Sequence, residues 1–190
     1  MSKTIEMLKN YIPFNEQEKE DIKLIMESEN VFGDILTRKN KFCHLTASAF
    51  VINKEHTKVL CVYHNIYKSW SWVGGHADGD DDMLYVAKKE TKEETSLKNF
   101  KVLSDMPISV EILPVKSHVR KGKYVSAHQH LNITYLFEAD EKDSIQILED
   151  ENSNIGWLSF EDLIDKSEEP YMIPIYEKII KRVTELSSIY

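Results

Sequence analysis

The sequence predicts an α/β domain preceded by a helical extension, and three observations predict it. First, HLTASAFVIN from His44 and TKVLCVYH from Thr57 carry strand-like apolar runs on either side of a polar turn at residues 53–56. Second, HQHLNITYLFEAD from His128 alternates, with Leu131, Ile133, Tyr135 and Phe137 on one face and His130, Asn132, Thr134 and Glu138 on the other. Third, an acidic segment with helical spacing lies between these strands, and a second helical stretch closes the chain. Strands mixed with helices in this order imply a sheet covered by helices.

Taken in order, residues 4–11 read as a first helix that stops at Pro13. Asn15 then makes a good N-cap with Glu18 three residues on, the capping-box spacing. Ile22, Ile25 and Met26 give that second helix an apolar stripe, so it should pack on the main domain or a sister subunit, or serve as a substrate lid. Residues 1–40 are therefore read as an extension and 41–190 as the domain proper.

Trp70 and Trp72 follow the first two strands and suit a core or cleft wall better than a base-stacking platform. Residues 102–115 read as one or two strands, with Ile108, Val110 and Ile112 on one face. Arg120-Lys121-Gly122-Lys123 is a basic turn, either a hairpin tip or a cationic rim. Gly156, Trp157 and Leu158 form a short strand, and Ser159 with Asp162 caps a short helix through Leu163 and Ile164. Pro174 opens the last helix, whose stripe is Ile175, Ile179, Val183 and Leu186.

The 190 residues suit one domain with its own core. A net charge of −8 argues against a nucleic-acid partner and makes a cation useful for meeting phosphates. Cys43 and Cys61 are isolated, with no C-x-x-C spacing. The chain shows no signal peptide and no long apolar run, so the expectation is a reduced, cytoplasmic protein without a membrane partner.

The chemistry concentrates in residues 74–97, GGHADGDDDMLYVAKKETKEETSL. Glu90, Glu93 and Glu94 fall at i, i+3 and i+4, on one helix face, where like charges repel. Such a run is often a solvated face. The glycines just before it change the balance, because they let the backbone approach a ligand closely. A loop, a helix start and an acidic face together suit a hard, oxygen-preferring ion, Mg²⁺ or Mn²⁺, bridging to phosphate. Separately, His128 and His130 are an H-x-H pair on one strand face. No third ligand at convincing spacing accompanies them, which argues against zinc. They read instead as pocket-lining, substrate-contacting residues, or as half-exposed polar side chains.

This stretch resembles the Nudix box, G-x5-E-x7-R-E-U-x-E-E-x-G-U, with U a bulky apolar residue. Gly75, Glu90, Glu93, Glu94 and Leu97 match, five of nine fixed positions, with no gap. Asp81 stands for Glu, Lys89 for Arg, Thr91 for the apolar residue and Ser96 for Gly. An acidic loop followed by Trp157 and a short helix extends the likeness to roughly residues 44–165. The resemblance implies an α/β/α sandwich with a mixed sheet and hydrolysis of a nucleoside diphosphate linked to another moiety. It implies Glu90, Glu93, Glu94 and a carbonyl of Gly74 or Gly75 as metal ligands, with Glu93 as base, Lys89 holding the glutamates and Gly75 meeting the substrate. Glu149 or Glu151 could add a ligand. Family members are often homodimers, a role the N-terminal helices could serve. Two other readings stay open: a ligand-binding sensor on the same fold, and an isomerase similar to the isopentenyl diphosphate isomerases. The latter needs a cysteine in a cleft.

Overall fold

The computed structural model describes residues 2–120, 122–147 and 152–187. Two helices come first, α1 (Lys3–Asn10) and α2 (Glu16–Phe32). Strands β1 (Cys43–Asn53), β2 (Lys58–His64), β3 (Ser69–Ser71) and β4 (Val73–His76) lead into α3 (Met83–Thr95). Then follow β5 (Lys101–Val102), β6 (Ser109–Val115), β7 (His118–Arg120), β8 (Lys123–Val125), β9 (His128–Ala139), β10 (Asn152–Ser159), α4 (Phe160–Asp165) and α5 (Ile173–Ser187).

The caps form where the sequence places them. The Asn15 side chain accepts the Glu18 N–H at 3.0 Å, and the Ser159 hydroxyl accepts the Asp162 N–H at 3.0 Å. The main sheet runs β10-β2-β1-β9-β5, with β3 on β2, β4 on β1 and β6 on β9. It is mixed: β1 and β9 pair in parallel, and the remaining ladders are antiparallel.

β1 is buried along its whole length, and its period of two sorts its side chains between two layers. Leu45, Ala47, Ala49 and Val51 join a core shared with Ile5 and Leu8 of α1, Ile22 and Ile25 of α2, and Val86 and Ala87 of α3. Phe50 and Ile52 face the other way, into a core with Leu163 of α4 and Tyr176, Ile179 and Val183 of α5. The result is the expected α/β/α sandwich.

Two details depart from the sequence reading. Ile108 does not share a face with Val110 and Ile112. It precedes β6 and packs into the α5-side core, whereas Val110 enters the α3-side core and Ile112 packs against it. Leu186 is 44% exposed, and the buried line of α5 passes through Tyr176, Ile179 and Val183.

The N-terminal helices are fastened to the sandwich by buried charge. Glu18 of α2 is fully buried, with its carboxylate 2.9 Å from the Lys178 ammonium of α5 and 3.6 Å from Arg182. Lys178 also meets the buried Glu111 of β6 at 3.3 Å. No helix among the described residues is long and apolar enough to cross a membrane.

Candidate active site

The even-numbered face of β1 changes character along the strand: Phe50 and Ile52 are core, but His44, Thr46 and Ser48 line a cavity of about 680 Å³. Parallel pairing sets Thr46 against Asn132 and Ser48 against Thr134 on β9. Thr46 and Ser48 both donate to the Asn132 side-chain oxygen at 2.9 Å, and Asn132 donates to Glu111 at 3.2 Å. One wall of the cavity is thus a connected polar network, anchored to the buried Glu111–Lys178 pair.

The opposite wall is built by β4 and α3. Gly74 and Gly75 pair with Ser48 and Ala47 of β1. A Cβ on Gly74 would stand 2.6 Å from Ser48 Oγ, and one on Gly75 would collide with the Glu90 carboxylate. Gly74 is held to glycine by the β1 backbone, whereas at Gly75 a Cβ would displace the Glu90 carboxylate, which lies directly over the Gly75 backbone. Glu94, one turn along α3, accepts the Gly74 N–H at 2.9 Å and the Asn152 side-chain N–H at 3.0 Å. Gly74 thus meets Glu94 through its N–H and not through its carbonyl.

Glu90, Glu93 and Glu94 all line the cavity with Lys89. Lys89 Nζ lies 3.3 Å from Glu90 and 3.6 Å from Glu93, one ammonium between two carboxylates. Burial pushes the Glu90 carboxyl above its ordinary range; Lys89 offsets part of this, and Glu93 and Asp78 add to it. Desolvation works against the Lys89 charge, but the neighbouring Glu90 and Glu93 outweigh it and hold the ammonium above its usual value. Ser96 supplies the left-handed turn that ends α3, with φ 55° and ψ 12°, and its N–H bonds Lys92 O at 2.9 Å. Thr91 is fully buried and turns its hydroxyl back to Ala87 O at 2.8 Å.

Other candidates fall differently. Asp81 is not turned to the glutamates: it accepts Lys3 N–H at 2.7 Å and Thr4 N–H at 3.2 Å, capping α1. Glu149 and Glu151 lie outside the described residues, as does Lys121. Arg120 lines the cavity at the β7–β8 hairpin, and Gly122 gives the turn its positive φ of 76°. Neither cysteine lines the cavity. Cys43 and Cys61 are buried in the two cores, so the isomerase reading lacks its cleft cysteine.

His128 and His130 both line the cavity, and two further histidines stand with them: His44 of β1 and His76 of β4. Burial lowers three of these imidazoles: His44 falls below its ordinary value, His76 drops to about 3 and His130 falls well below the usual range. Nearby positive charge adds to the effect on His76, from Arg38. Arg38 itself is held by Asp78 through two hydrogen bonds of 2.8 and 2.6 Å at the cavity edge. His44, His76, Arg38 and Asp78 were invisible to spacing arguments, since only the sheet brings them together.

Comparison with known proteins agrees with this architecture. The chain is 26% identical over 140 residues to an RNA pyrophosphohydrolase of Pelagibacter ubique, an alignment covering 72% of this chain and 88% of that protein. Among solved structures, an Ap4A hydrolase of C. elegans superposes with a TM-score of 0.56 at 21% identity, covering 74% of this chain and 98% of the other. The E. coli dihydroneopterin triphosphate pyrophosphohydrolase gives 0.54 at 13% identity, covering 73% and 95%. At such identities these two show the fold. The family itself is shown by the model of the NUDIX domain, which matches residues 43–182, and the chain belongs to this family of hydrolases acting on pyrophosphate bonds.

Proposed function

We propose that this chain cleaves the pyrophosphate of a nucleoside diphosphate linked to another moiety, with ADP-ribose, nucleotide sugars, dinucleotides and modified nucleoside triphosphates as the substrate classes to test. The observation that carries this reading is the convergence of Glu90, Glu93, Glu94 and Lys89 on one wall of a cavity large enough for a nucleotide. Ap4A and RNA enter the list because they are the substrates named in the Ap4A hydrolase and the RNA pyrophosphohydrolase that this chain resembles.

The donor set fits a hard divalent ion. Three carboxylates share one helix face with a single ammonium, which leaves net negative charge and oxygen donors at the cavity. Glu90, Glu93 and Glu94 would hold Mg²⁺ or Mn²⁺, which when bound supplies Lewis-acid neutralisation of phosphate charge. The protein's own groups do the rest. The Gly74 N–H and Asn152 fix Glu94, and Lys89 orients Glu90 and Glu93. Glu93, half-exposed to the cavity, takes the proton of the attacking water as that water's oxygen bonds phosphorus and the anhydride P–O bond breaks. The Asn132 face with His128 and His130, together with Gly75, contacts the substrate.

Residues 1–40 serve the domain at 41–190 as a buttress. Asp81, within the box, caps α1, and Glu18 is locked to α5. A small nucleotide in the cytoplasm is the partner this reading requires, and a homodimer is compatible with it.

The test is release of phosphate or nucleoside monophosphate from a panel of nucleoside diphosphate derivatives, run with Mg²⁺, with Mn²⁺ and with chelator. Metal-dependent release from one class is the expected result. Binding of a panel member without turnover under any metal would overturn hydrolysis in favour of the sensor reading.

A further inference from the structure

The histidines on the cavity floor form a set of their own. His44 and His130 are direct partners in the parallel β1–β9 ladder, so their side chains leave the sheet side by side. His76 of β4 pairs with Thr46, two residues along β1 from His44, which keeps it on the same side. The ligand nitrogens of His44, His76 and His130 lie within 4.8 Å of one another. Their ring centroids are 4.9 to 5.1 Å apart in every pairing.

His44 supplies an independent observation. It is 4% exposed, and its Nδ1 lies 3.2 Å from Asn40 O. A carbonyl only accepts, so Nδ1 carries the proton and Nε2 presents a bare lone pair. That Nε2 is buried and has no hydrogen-bond partner among the described residues. An imidazole whose Nδ1–H is pinned to a carbonyl while Nε2 is left open is the arrangement in which histidine ligates a metal. His128 beside it has its Nδ1 pinned in the same way, 2.8 Å from Ser126 O, and its ring stacks on His44 at 4.9 Å.

We propose that His44, His76 and His130 form a second cation site, selective for a borderline transition-metal ion such as Zn²⁺ and separate from the carboxylates of Glu90, Glu93 and Glu94. Three nitrogen donors suit such an ion, whereas Mg²⁺ prefers oxygen. A tetrahedral ion with zinc–nitrogen bonds of about 2.0–2.1 Å sets its ligand nitrogens roughly 3.4 Å apart, so a pair at the 4.8 Å limit closes by about 1.4 Å. Three protein ligands leave one position open, and all three histidines line the cavity, so that position faces whatever the cavity holds. The two sites adjoin along β4: Gly75 lies under Glu90, and His76 is the next residue. The proposal stands independently of the hydrolase reading.

The experiment uses the untagged full chain, stripped with chelator and titrated with Co²⁺ and with Zn²⁺. We expect one Co²⁺ per chain with the visible ligand-field bands of a low-coordinate nitrogen site, displaced by Zn²⁺ and insensitive to excess Mg²⁺. The bands persist when Glu90, Glu93 and Glu94 are all replaced by glutamine. His44→Ala and His130→Ala each weaken Zn²⁺ binding by about 10-fold or more. Should a histidine variant fold poorly, imidazole ¹H–¹⁵N spectra of the unaltered chain decide the matter: Zn²⁺ must shift the Nε2 resonances of His44, His76 and His130. Absence of those shifts, or Co²⁺ bands lost in the glutamine variant but kept in the histidine variants, overturns the proposal.

Discussion

Glu94 on α3 accepts the backbone N–H of Gly74 on β4 at 2.9 Å, while its other oxygen accepts from Asn152. The carboxylate is therefore both a cavity wall and the clasp between the glycine strand and the acidic helix. Glutamine at this position keeps the shape, but turns an NH₂ toward one of two N–H donors. Glu94→Gln should lower kcat by roughly 100-fold or more while the chain still folds, its melting temperature lower by only a few degrees for the one lost hydrogen bond. Steady-state kinetics with a metal-supplemented substrate, alongside a thermal melt, checks both halves. Near-parental activity would remove Glu94 from the site.

Ser96 ends α3 at φ 55°, a conformation that is strained for a residue with a Cβ and free for glycine. Ser96→Gly should therefore stabilise the chain by about 1 kcal/mol, read as a higher urea midpoint with unchanged slope. A lower midpoint would mean that the serine side chain contributes something its backbone geometry does not reveal.

Lys178 is the shared partner of two buried carboxylates, Glu18 and Glu111, with 4% of its side chain exposed. Lys178→Met leaves Glu111 without its ammonium and Glu18 with only Arg182 at 3.6 Å, and should cost about 3–5 kcal/mol in urea unfolding. Replacing all three together, with glutamine at Glu18 and Glu111 and methionine at Lys178, should cost clearly less, because neither buried carboxylate remains and Arg182, the one cation left, is 20% exposed. Equal losses in the two variants would show that packing, not charge, governs this junction.

Burial raises both thiols above their ordinary value, Cys61 far above it. At pH 8 neither carries appreciable thiolate in the native chain. An aromatic disulfide reagent should find both cysteines silent in buffer and both reactive in denaturant. Fast labelling of either in the native state would reopen the cysteine-dependent isomerase reading.

Much of this protein is written in short-range pattern. The caps at Asn15 and Ser159, the alternation of β9 and the spacing from Gly75 to Leu97 are local, and the structure forms each of them. Residues within a turn or two interact whatever the rest of the chain does, so their periodicity predicts the element. Ile108 shows the limit: it fits the alternation of β6 by spacing, yet it lies just before the strand and enters the other core.

Tertiary structure alone decided the remainder. Asp81 fits the box by position, but two open N–H groups at the start of α1 claim it. His128 and His130 look like an isolated pair in sequence. The parallel β1–β9 ladder and the β1–β4 pairing bring His44 and His76 beside them. Glu18 and Lys178, near opposite ends of the chain, meet in one buried ion pair. The sequence determined the elements and the acidic helix face because those depend on neighbours a few residues away. Strand pairing determined which distant side chains share a cavity, since register is set by how whole faces bury against one another.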